Sequence, residues 1–336
     1  MTPHLDLPVS EQTQVGEARR AATRLATDHD LDETAVGRIA LIVTELGNNL
    51  WRHAKNGRLL VGCRQGDDGC QLEVLSVDSG PGMDDVSRCL RDGYSSGGTP
   101  GTGLGAVQRL STDFSVFSVP GKGTVILSRT WVPSASAAQA PPARARFSHA
   151  GICLAAPGEF VSGDAWDIQV ADGQATVIVA DGLGHGPVAA EAADAAIKGF
   201  AKVTGSPAAM LERLHPLLRS TRGAAVAIAA VDAKSGTVTY AGAGNITGRM
   251  ISGVEDRALM SQHGTLGVQV RKLQDISYVW PDHALVVMHS DGLATRWNLK
   301  EVGGLLQCDP AVIAGWLLRD HTRGHDDVTV VVLKRD

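Results

Sequence analysis

Apolar positions along this chain follow two periods. Val15, Ala18, Ala22 and Leu25 recur at helical spacing and predict a helix that starts just after Ser10, a residue suited to an N-cap, with residues 4–9 ahead of it as an edge strand. A second helical stripe begins near Asp32 and runs through Ile39, Ile42, Val43, Leu46 and Leu50. The period then drops to two. GRLLVGCRQ and CQLEVLSVD, joined by GDDG, predict one pair of strands, and DFSVFSVP and GTVILSRTW, joined by GKG, predict another. Beyond residue 147 the pattern changes again. FSHAGICLAAP opens as a strand, and the apolar run ATVIVADG ends at Asp181-Gly182 before a glycine-punctuated turn and a long Ala-rich helix. A further helix over residues 207–220 precedes the strand-like segments AAVAIAAVDA, GTVTYAGAG, GRMISG and DISYVW. HALVVMHSDGL is an apolar strand closing at Asp291-Gly292, and GHDDVTVVV sets Asp326 and Asp327 at the start of a last strand.

Between these halves lies PSASAAQAPPARAR, with no Val, Ile, Leu, Met or aromatic residue to bury and three prolines that deny backbone donors. It reads as a linker over residues 133–147, separating domains at 1–132 and 148–336. A length of 336 residues also favours two domains over one core. As a coil such a strip reaches about 20 Å, and about 45 Å as a polyproline helix, so it permits independent halves without coupling them.

Composition narrows the partners. The net charge is −5 and basic residues are spread out, which argues against nucleic acid. The five cysteines (Cys63, Cys70, Cys89, Cys153, Cys308) form no CxxC pair and are odd in number, so they read as free thiols of a reducing cytosol. No apolar run approaches the roughly 20 residues that cross a bilayer, and the N-terminus lacks the features of a signal peptide. The expectation is a cytoplasmic protein that uses no membrane.

Candidate chemistry sits at places where local pattern and residue type disagree. Glu45 and Asn49 lie four apart on the second helix, and position alone makes them a surface pair; yet Asn is a poor helix-interior residue, and such misfits mark sites. Asp78 ends a strand and is followed at once by Gly80 and Gly82, an arrangement that lets backbone approach a flat ligand while the carboxylate accepts a hydrogen bond from it. A loop with six glycines, including Gly101, Gly103 and Gly105, then runs into a helix N-terminus, where free N–H groups and the helix dipole suit an anion. In the second half Asp164, Asp181, Asp291 and the Asp326-Asp327 pair all fall at strand rims. Each alone reads as a turn-capping Asp. Together, and with no Lys or Arg within five residues of Asp164 or Asp181, they suit hard divalent cations.

The order Glu45-x-x-x-Asn49, Asp78-x-Gly-x-Gly and Gly101-x-Gly-x-Gly resembles the N, G1 and G2 boxes of the GHKL ATP-binding superfamily, in its branch of anti-sigma-factor and switch serine kinases of the RsbW and RsbT type, over residues 5–131. The resemblance implies that Asn49 ligates the Mg²⁺ bridging the ATP phosphates and that Glu45 orients or deprotonates the attacking protein hydroxyl. Asp78 would read the adenine amino group, Gly80 and Gly82 would shape the base pocket, and Gly101, Gly103 and Gly105 would belong to the phosphate lid. SGDAWD, ADGLGHGPVAAEAA, HSDGL and GHDDVTVVV resemble the PPM metal-dependent protein phosphatases, in the SpoIIE and RsbX branch, over residues 148–334. Here the resemblance implies two Mn²⁺ or Mg²⁺ ions bridged by Asp181, with the Gly182 carbonyl, Asp164, Asp291 and Asp326 completing the ligand set and Asp327 the less suited choice at the last position. Phosphoserine or phosphothreonine would be hydrolysed directly, without a phosphoenzyme. His185 is either a proton donor or an exposed turn residue. The phosphate-binding Arg of eukaryotic relatives finds no counterpart near the start of the domain. Asn245 reads as part of a tight turn, Trp297 as packing behind the metal rim, and Trp131 and Trp166 as core.

The expected fold is α/β throughout: a two-layer sandwich with helices on one face of a mixed sheet, then an α-β-β-α phosphatase domain. The expected function is a bifunctional serine/threonine kinase and phosphatase acting on STAS-domain proteins in a partner-switching or stress-response pathway, with a sigma factor or stressosome-like complex as further partner. Two rivals stay open: an ATP-binding half that only sequesters a sigma factor or antagonist, and a degenerate nucleotide domain beside a working phosphatase.

Overall fold

The computed structural model describes residues 3–66, 69–91, 103–133, 147–171 and 173–335. The chain divides into two compact units, Thr2–Pro142 and Ala143–Asp336. Gly101 and residues 134–146 of the expected linker lie outside the described residues.

In the first unit β1 (Leu5–Pro8) leads into α1 (Gln12–Asp28) and α2 (Glu33–His53). The hairpin β2 (Arg58–Gly66) and β3 (Gly69–Asp78) follows, then the short α3 (Val86–Cys89), α4 (Gly103–Leu110), and a second hairpin of β4 (Asp113–Val119) and β5 (Gly123–Pro133). The strand order is β1-β2-β3-β5-β4, and every neighbouring pair is antiparallel, so the sheet is not mixed as expected. The two hairpins dock through β3 and β5, and β1 returns beside β2 by way of two helices. Neither arrangement is visible in local periodicity.

One face of this sheet buries Leu59, Val61, Leu72, Val74 and Ile126 against Val15, Ala18 and Ala22 of α1 and Ile39, Ile42, Leu46 and Leu50 of α2. Full burial of an Ile or Leu contributes about 1.5–3 kcal/mol, so α2 is held by its stripe more than by its intrinsic propensity. Its start is set by Asp32, whose carboxylate accepts from the Ala35 N–H at 2.7 Å. The α1 N-cap is Glu11 in place of Ser10, because the Gln14 side-chain oxygen accepts from the N–H groups of both Ser10 (2.7 Å) and Glu11 (3.2 Å) and closes the turn one residue later.

The opposite sheet face carries a buried charge cluster. Glu73 Oε2 accepts from Arg129 Nε at 2.6 Å, and Glu73 Oε1 lies 3.5 Å from His4 Nε2. Burial works to raise this carboxyl, but Arg129 and His4 outweigh it and hold it at about 2. Cys63 and Cys70 form a disulfide, which corrects the reading of all five cysteines as free. The register pairs Cys63 with Leu72 and Gln65 with Cys70, so the two sulfurs are diagonal neighbours on one face of the hairpin. Cys89, Cys153 and Cys308 remain thiols.

The second unit runs β6 (Phe147–Leu154), β7 (Asp164–Ala171), β8 (Gln174–Gly182), α5 (Pro187–Phe200), α6 (Pro207–Leu214), β9 (Ala224–Asp232), β10 (Thr237–Ala243), β11 (Thr247–Ile251), β12 (Asp256–Leu259), β13 (Gly264–Thr265), β14 (Gln269–Val270), β15 (Ile276–Val279), β16 (Leu285–His289), α7 (Pro310–His321) and β17 (Val328–Arg335). Two antiparallel five-stranded sheets, β15-β10-β9-β8-β7 and β12-β11-β16-β17-β6, enclose a core that includes Trp166, Val177, Tyr240, Trp280, Met288 and Val331. The helices α5 and α6 cover the outer face of the first sheet through Ala192, Ala196, Phe200 and Leu211, and α7 packs on β6 and β17 of the second. The layers are therefore α-β-β-α. Trp166 is core as expected, whereas Trp131 is 37% exposed: two residues after Arg129 on β5, it points to the sheet face away from α1 and α2. Among the described residues no helix is long and apolar enough to cross a membrane.

Candidate functional sites

In the first unit the candidate residues gather around the C-terminal half of α2. Glu45 and Asn49 are half-buried on that helix, one turn apart. The strand end bearing Asp78 docks at the end of the same helix, where the Ser79 N–H donates to the Lys55 carbonyl at 2.9 Å. A side chain at Gly80 would press on Ala54 and the His53 carbonyl. Asp78 is buried, and its Oδ1 accepts from the Gly80 N–H at 2.6 Å, which fixes the carboxylate in a tight turn. Gly82 is required at its position, since its φ is +70° and a Cβ there would run into the Val119 carbonyl. At the far end of the Gly-rich segment α4 begins at Gly103, and a Cβ on Gly103 would stand 2.5 Å from Glu45 Oε2. The structure thus brings Gly103 to the Glu45 carboxylate and Asp78 with Gly80 to the end of α2.

Two observations bear on whether a nucleotide and its cation suit these residues. The side-chain Nδ2 of Asn49 is buried without a partner among the described residues, a costly arrangement unless another group completes it. And glycines approach both carboxylates closely: a Cβ on Gly103 would press on Glu45 Oε2, and one on Gly80 on Asp78 Oδ1. An unpartnered amide and two carboxylates form a set that fits ATP with Mg²⁺.

The second unit collects carboxylates from both sheets at one end of the sandwich. Asp164 on β7 and Asp181 on β8 are direct cross-strand partners. Asp291 follows β16 and Asp326 precedes β17, and these two strands pair in the other sheet. Burial, then repulsion from Asp181, raises the Asp164 carboxyl well above its ordinary value. Burial, then Asp291, Asp326 and Asp327, pushes Asp181 up to about 7. These acids are close enough to repel one another, an electrostatic strain that divalent ions relieve.

No three carboxylate, imidazole or thiolate groups among the described residues converge on one point. A divalent ion held here would therefore keep part of its water and reach some of these acids through it. Gly182 is buried and packs its Cα against the Ala189 carbonyl of α5, so its own backbone is pinned beside Asp181.

Around this rim stand two residues that the sequence did not single out, Ser290 and His289, and several that it did. Ser290 is fully buried; its hydroxyl donates to Asp164 Oδ2 at 2.5 Å and accepts from the Thr329 N–H at 2.9 Å. Asn245 does more than make a turn, because its Nδ2 donates to Asp291 Oδ2 at 2.7 Å. Asp327 is buried, with one oxygen accepting from the Ala156 N–H and the other from the Gly163 N–H, both at 2.8 Å, so it ties loops together while Asp326 stays half-exposed. His185 is exposed and hydrogen-bonded to Glu159 at 3.0 Å. Behind the rim His289 is neutral: burial pushes it down to about 4, its Nδ1 donates to the Ser290 carbonyl and its Nε2 accepts from the Trp297 indole at 3.4 Å. Trp297 packs there as expected.

Residues 9–129 match the histidine kinase-like ATPase domain family, and residues 171–336 match the stage II sporulation protein E (SpoIIE) family. The second match contains Asp181, Gly182, Asp291 and Asp326, whereas Asp164 precedes it. A curated relative, the serine/threonine-protein kinase RsbT of Bacillus subtilis (strain 168), is 33% identical over 117 residues, which is 34% of this chain and 86% of RsbT. Among solved structures, a chain from a bacterial stressosome study is 27% identical with a TM-score of 0.52, covering 56% of this chain and 98% of its own length. RsbX in complex with magnesium is 21% identical with a TM-score of 0.51, covering 56% of this chain and 96% of its own, a likeness of fold. The chain belongs to the histidine kinase-like ATPase family in its first unit and carries a SpoIIE-type phosphatase domain in its second.

Proposed function

We propose that this chain is a cytoplasmic, bifunctional partner-switching regulator that adds phosphate to Ser or Thr of STAS-domain proteins with its first unit and removes it with its second. The kinship of the first unit with RsbT supports the forward activity, and the stressosome structure among its relatives favours an assembly of that kind, or a sigma factor pathway, as the setting. The observation that carries the reading is the gathering of Asp164, Asp181, Asp291 and Asp326 at one rim, where burial and neighbouring carboxylates raise the carboxyls of Asp164 and Asp181.

In the first unit ATP and Mg²⁺ supply the phosphoryl group and neutralise its charge when bound. Asn49 holds the cation, and Glu45 orients or deprotonates the partner hydroxyl. Asp78 would accept from the adenine amino group, Gly80 and Gly82 would shape the base pocket, and Gly103 and Gly105, together with Gly101 outside the described residues, would belong to the cover over the phosphates. In the second unit two Mn²⁺ or Mg²⁺ ions, when bound, activate water and stabilise the leaving phosphate. Asp181, the Gly182 carbonyl, Asp164, Asp291 and Asp326 would be the residues that hold these ions, with Asp181 shared between the two. Ser290 and Asn245 orient Asp164 and Asp291 by the hydrogen bonds described above.

Labelled ATP, the full chain and a STAS-domain protein test both directions. Transfer lost in Glu45→Ala, and Mn²⁺-dependent release lost in Asp181→Asn, are the expected results. ATP binding without transfer to any such protein would make the first unit a module that sequesters a sigma factor or antagonist.

A further inference from the structure

Next to the acidic rim the surface turns apolar. Phe160 is 98% exposed and Val161 is 41% exposed, on the loop that leads into Asp164; Leu183 and Val188 are 46% and 43% exposed, on the loop that leaves Asp181 and at the start of α5. These two loops are joined. Glu159 hydrogen-bonds His185 at 3.0 Å and lies within 3.0 Å of where a Cβ on Gly186 would stand, while the Gly182 N–H donates to the Gly163 carbonyl at 3.0 Å. A nearly fully exposed Phe at a rigid junction costs solvation and contributes nothing to the fold that holds it.

A cation also stands beside the loop that follows Asp181. The Leu183 N–H donates to the Gly223 carbonyl at 3.1 Å, which continues the β8–β9 pairing, and a Cβ on Gly184 would stand 3.4 Å from Arg222 Nη1. Arg222 is exposed and makes no ion pair or hydrogen bond with the described residues. The loop that follows Asp181 thus has both exposed apolar side chains and a guanidinium beside it.

We infer that the shelf formed by Phe160, Val161, Leu183 and Val188 docks the protein substrate itself, receiving apolar side chains that flank its phosphorylated Ser or Thr while Arg222 faces the phosphate. The occupant follows from continuity: the loops that present the shelf are the ones that deliver Asp164 and Asp181. The charge pattern agrees, since a dianionic phosphate is repelled by ionised acids and drawn to a guanidinium. This inference rests on the phosphatase reading of the second unit, and it adds that specificity is read by apolar contact beside the metals.

Two phosphoserine peptides of equal length, one with Leu and one with Ser on both sides of the phosphorylated residue, test it together with p-nitrophenyl phosphate. The full chain with Mn²⁺ is compared with the double variant Phe160→Ser, Val188→Ser, which leaves Leu183 beside Gly182 untouched. The parent is expected to favour the Leu-flanked peptide by about tenfold in kcat/KM, a gap of the size an apolar pocket supplies. The variant is expected to lose that preference through KM and to keep its turnover of p-nitrophenyl phosphate. Equal use of both peptides by the parent, or a parallel fall on all three substrates, overturns the inference. A parent that sediments as a dimer and a variant that sediments as a monomer would assign the shelf to self-association instead. If the parent hydrolyses none of the three, the phosphatase reading fails first and the docking claim with it.

Discussion

Replacing Asp181 by Asn should stabilise the metal-free protein near neutral pH, although it destroys the phosphatase site. The native carboxyl is held at about 7 against an ordinary 3.8, chiefly by burial and then by Asp291, Asp326 and Asp327. Its folded-state value lies above the unfolded one, so the native state binds more protons between them and stability falls as pH rises from about 4 to about 7. Once both values are passed, the ionised group disfavours the fold by on the order of 4 kcal/mol at most. Asn has nearly the same shape, keeps an acceptor oxygen and carries no charge. With about half of the penalty already relieved by relaxation and water, the gain is about 2 kcal/mol, or about 4–8 °C in the melting of a unit this size. The assay is thermal unfolding in a chelator at pH 4.5 and pH 8, followed by the fluorescence of Trp166 and Trp280, both buried in the second unit. At pH 8 the variant should melt higher than the parent, and at pH 4.5 the two should nearly coincide. Added Mn²⁺ should reverse the order, because only the parent gains binding energy. A variant less stable than its parent at pH 8 in chelator would refute the claim that these acids repel one another in the fold.

Other substitutions probe the scaffold. Glu73→Gln removes the anion from the buried cluster with Arg129 and His4 and should cost on the order of 3 kcal/mol at pH 7 by urea unfolding. Because Glu73 is held at about 2 against 4.5, its contribution is present above pH 4.5 and is lost as pH falls toward 2, so the parent's advantage should vanish on acidification. Gly82→Ala places a Cβ against the Val119 carbonyl at a φ of +70° and should lower the stability of the first unit by about 2 kcal/mol or more, with ATP affinity falling in a nucleotide titration. Ser290→Ala leaves the Thr329 N–H and one Asp164 oxygen without their buried partner, for a loss of about 1–3 kcal/mol in unfolding and weaker Mn²⁺ binding by titration.

What the sequence revealed depends on how far apart the interacting residues stand. Asp181-Gly182 and Asp291-Gly292 were visible because each ends an apolar run, and a strand rim is a local pattern. The α2 stripe and its Asp32 cap were visible for the same reason. Asn245 showed only as a turn because its partner Asp291 is 46 residues away, and the Glu73–Arg129 pair, which spans 56, did not show at all. The Cys63–Cys70 bridge required the hairpin register, in which the two are diagonal, and cysteine counting carries no register. Sheet direction in the first unit was missed because it depends on how two hairpins dock. Arg222 escaped notice because its place beside Gly184 comes from β9 pairing with β8, not from any motif around it.

The proposed function needs two separate ion-holding sites in one polypeptide, and Mn²⁺ stoichiometry measured by electron paramagnetic resonance of the free ion tests that directly. Without nucleotide the parent should bind two ions, Asp181→Asn should lose them, and Asn49→Ala should keep both. Adding a non-hydrolysable ATP analogue should bring one further ion to the parent and to Asp181→Asn, but none to Asn49→Ala. Unchanged Mn²⁺ binding in Asp181→Asn, or a nucleotide-linked ion that survives in Asn49→Ala, would contradict it.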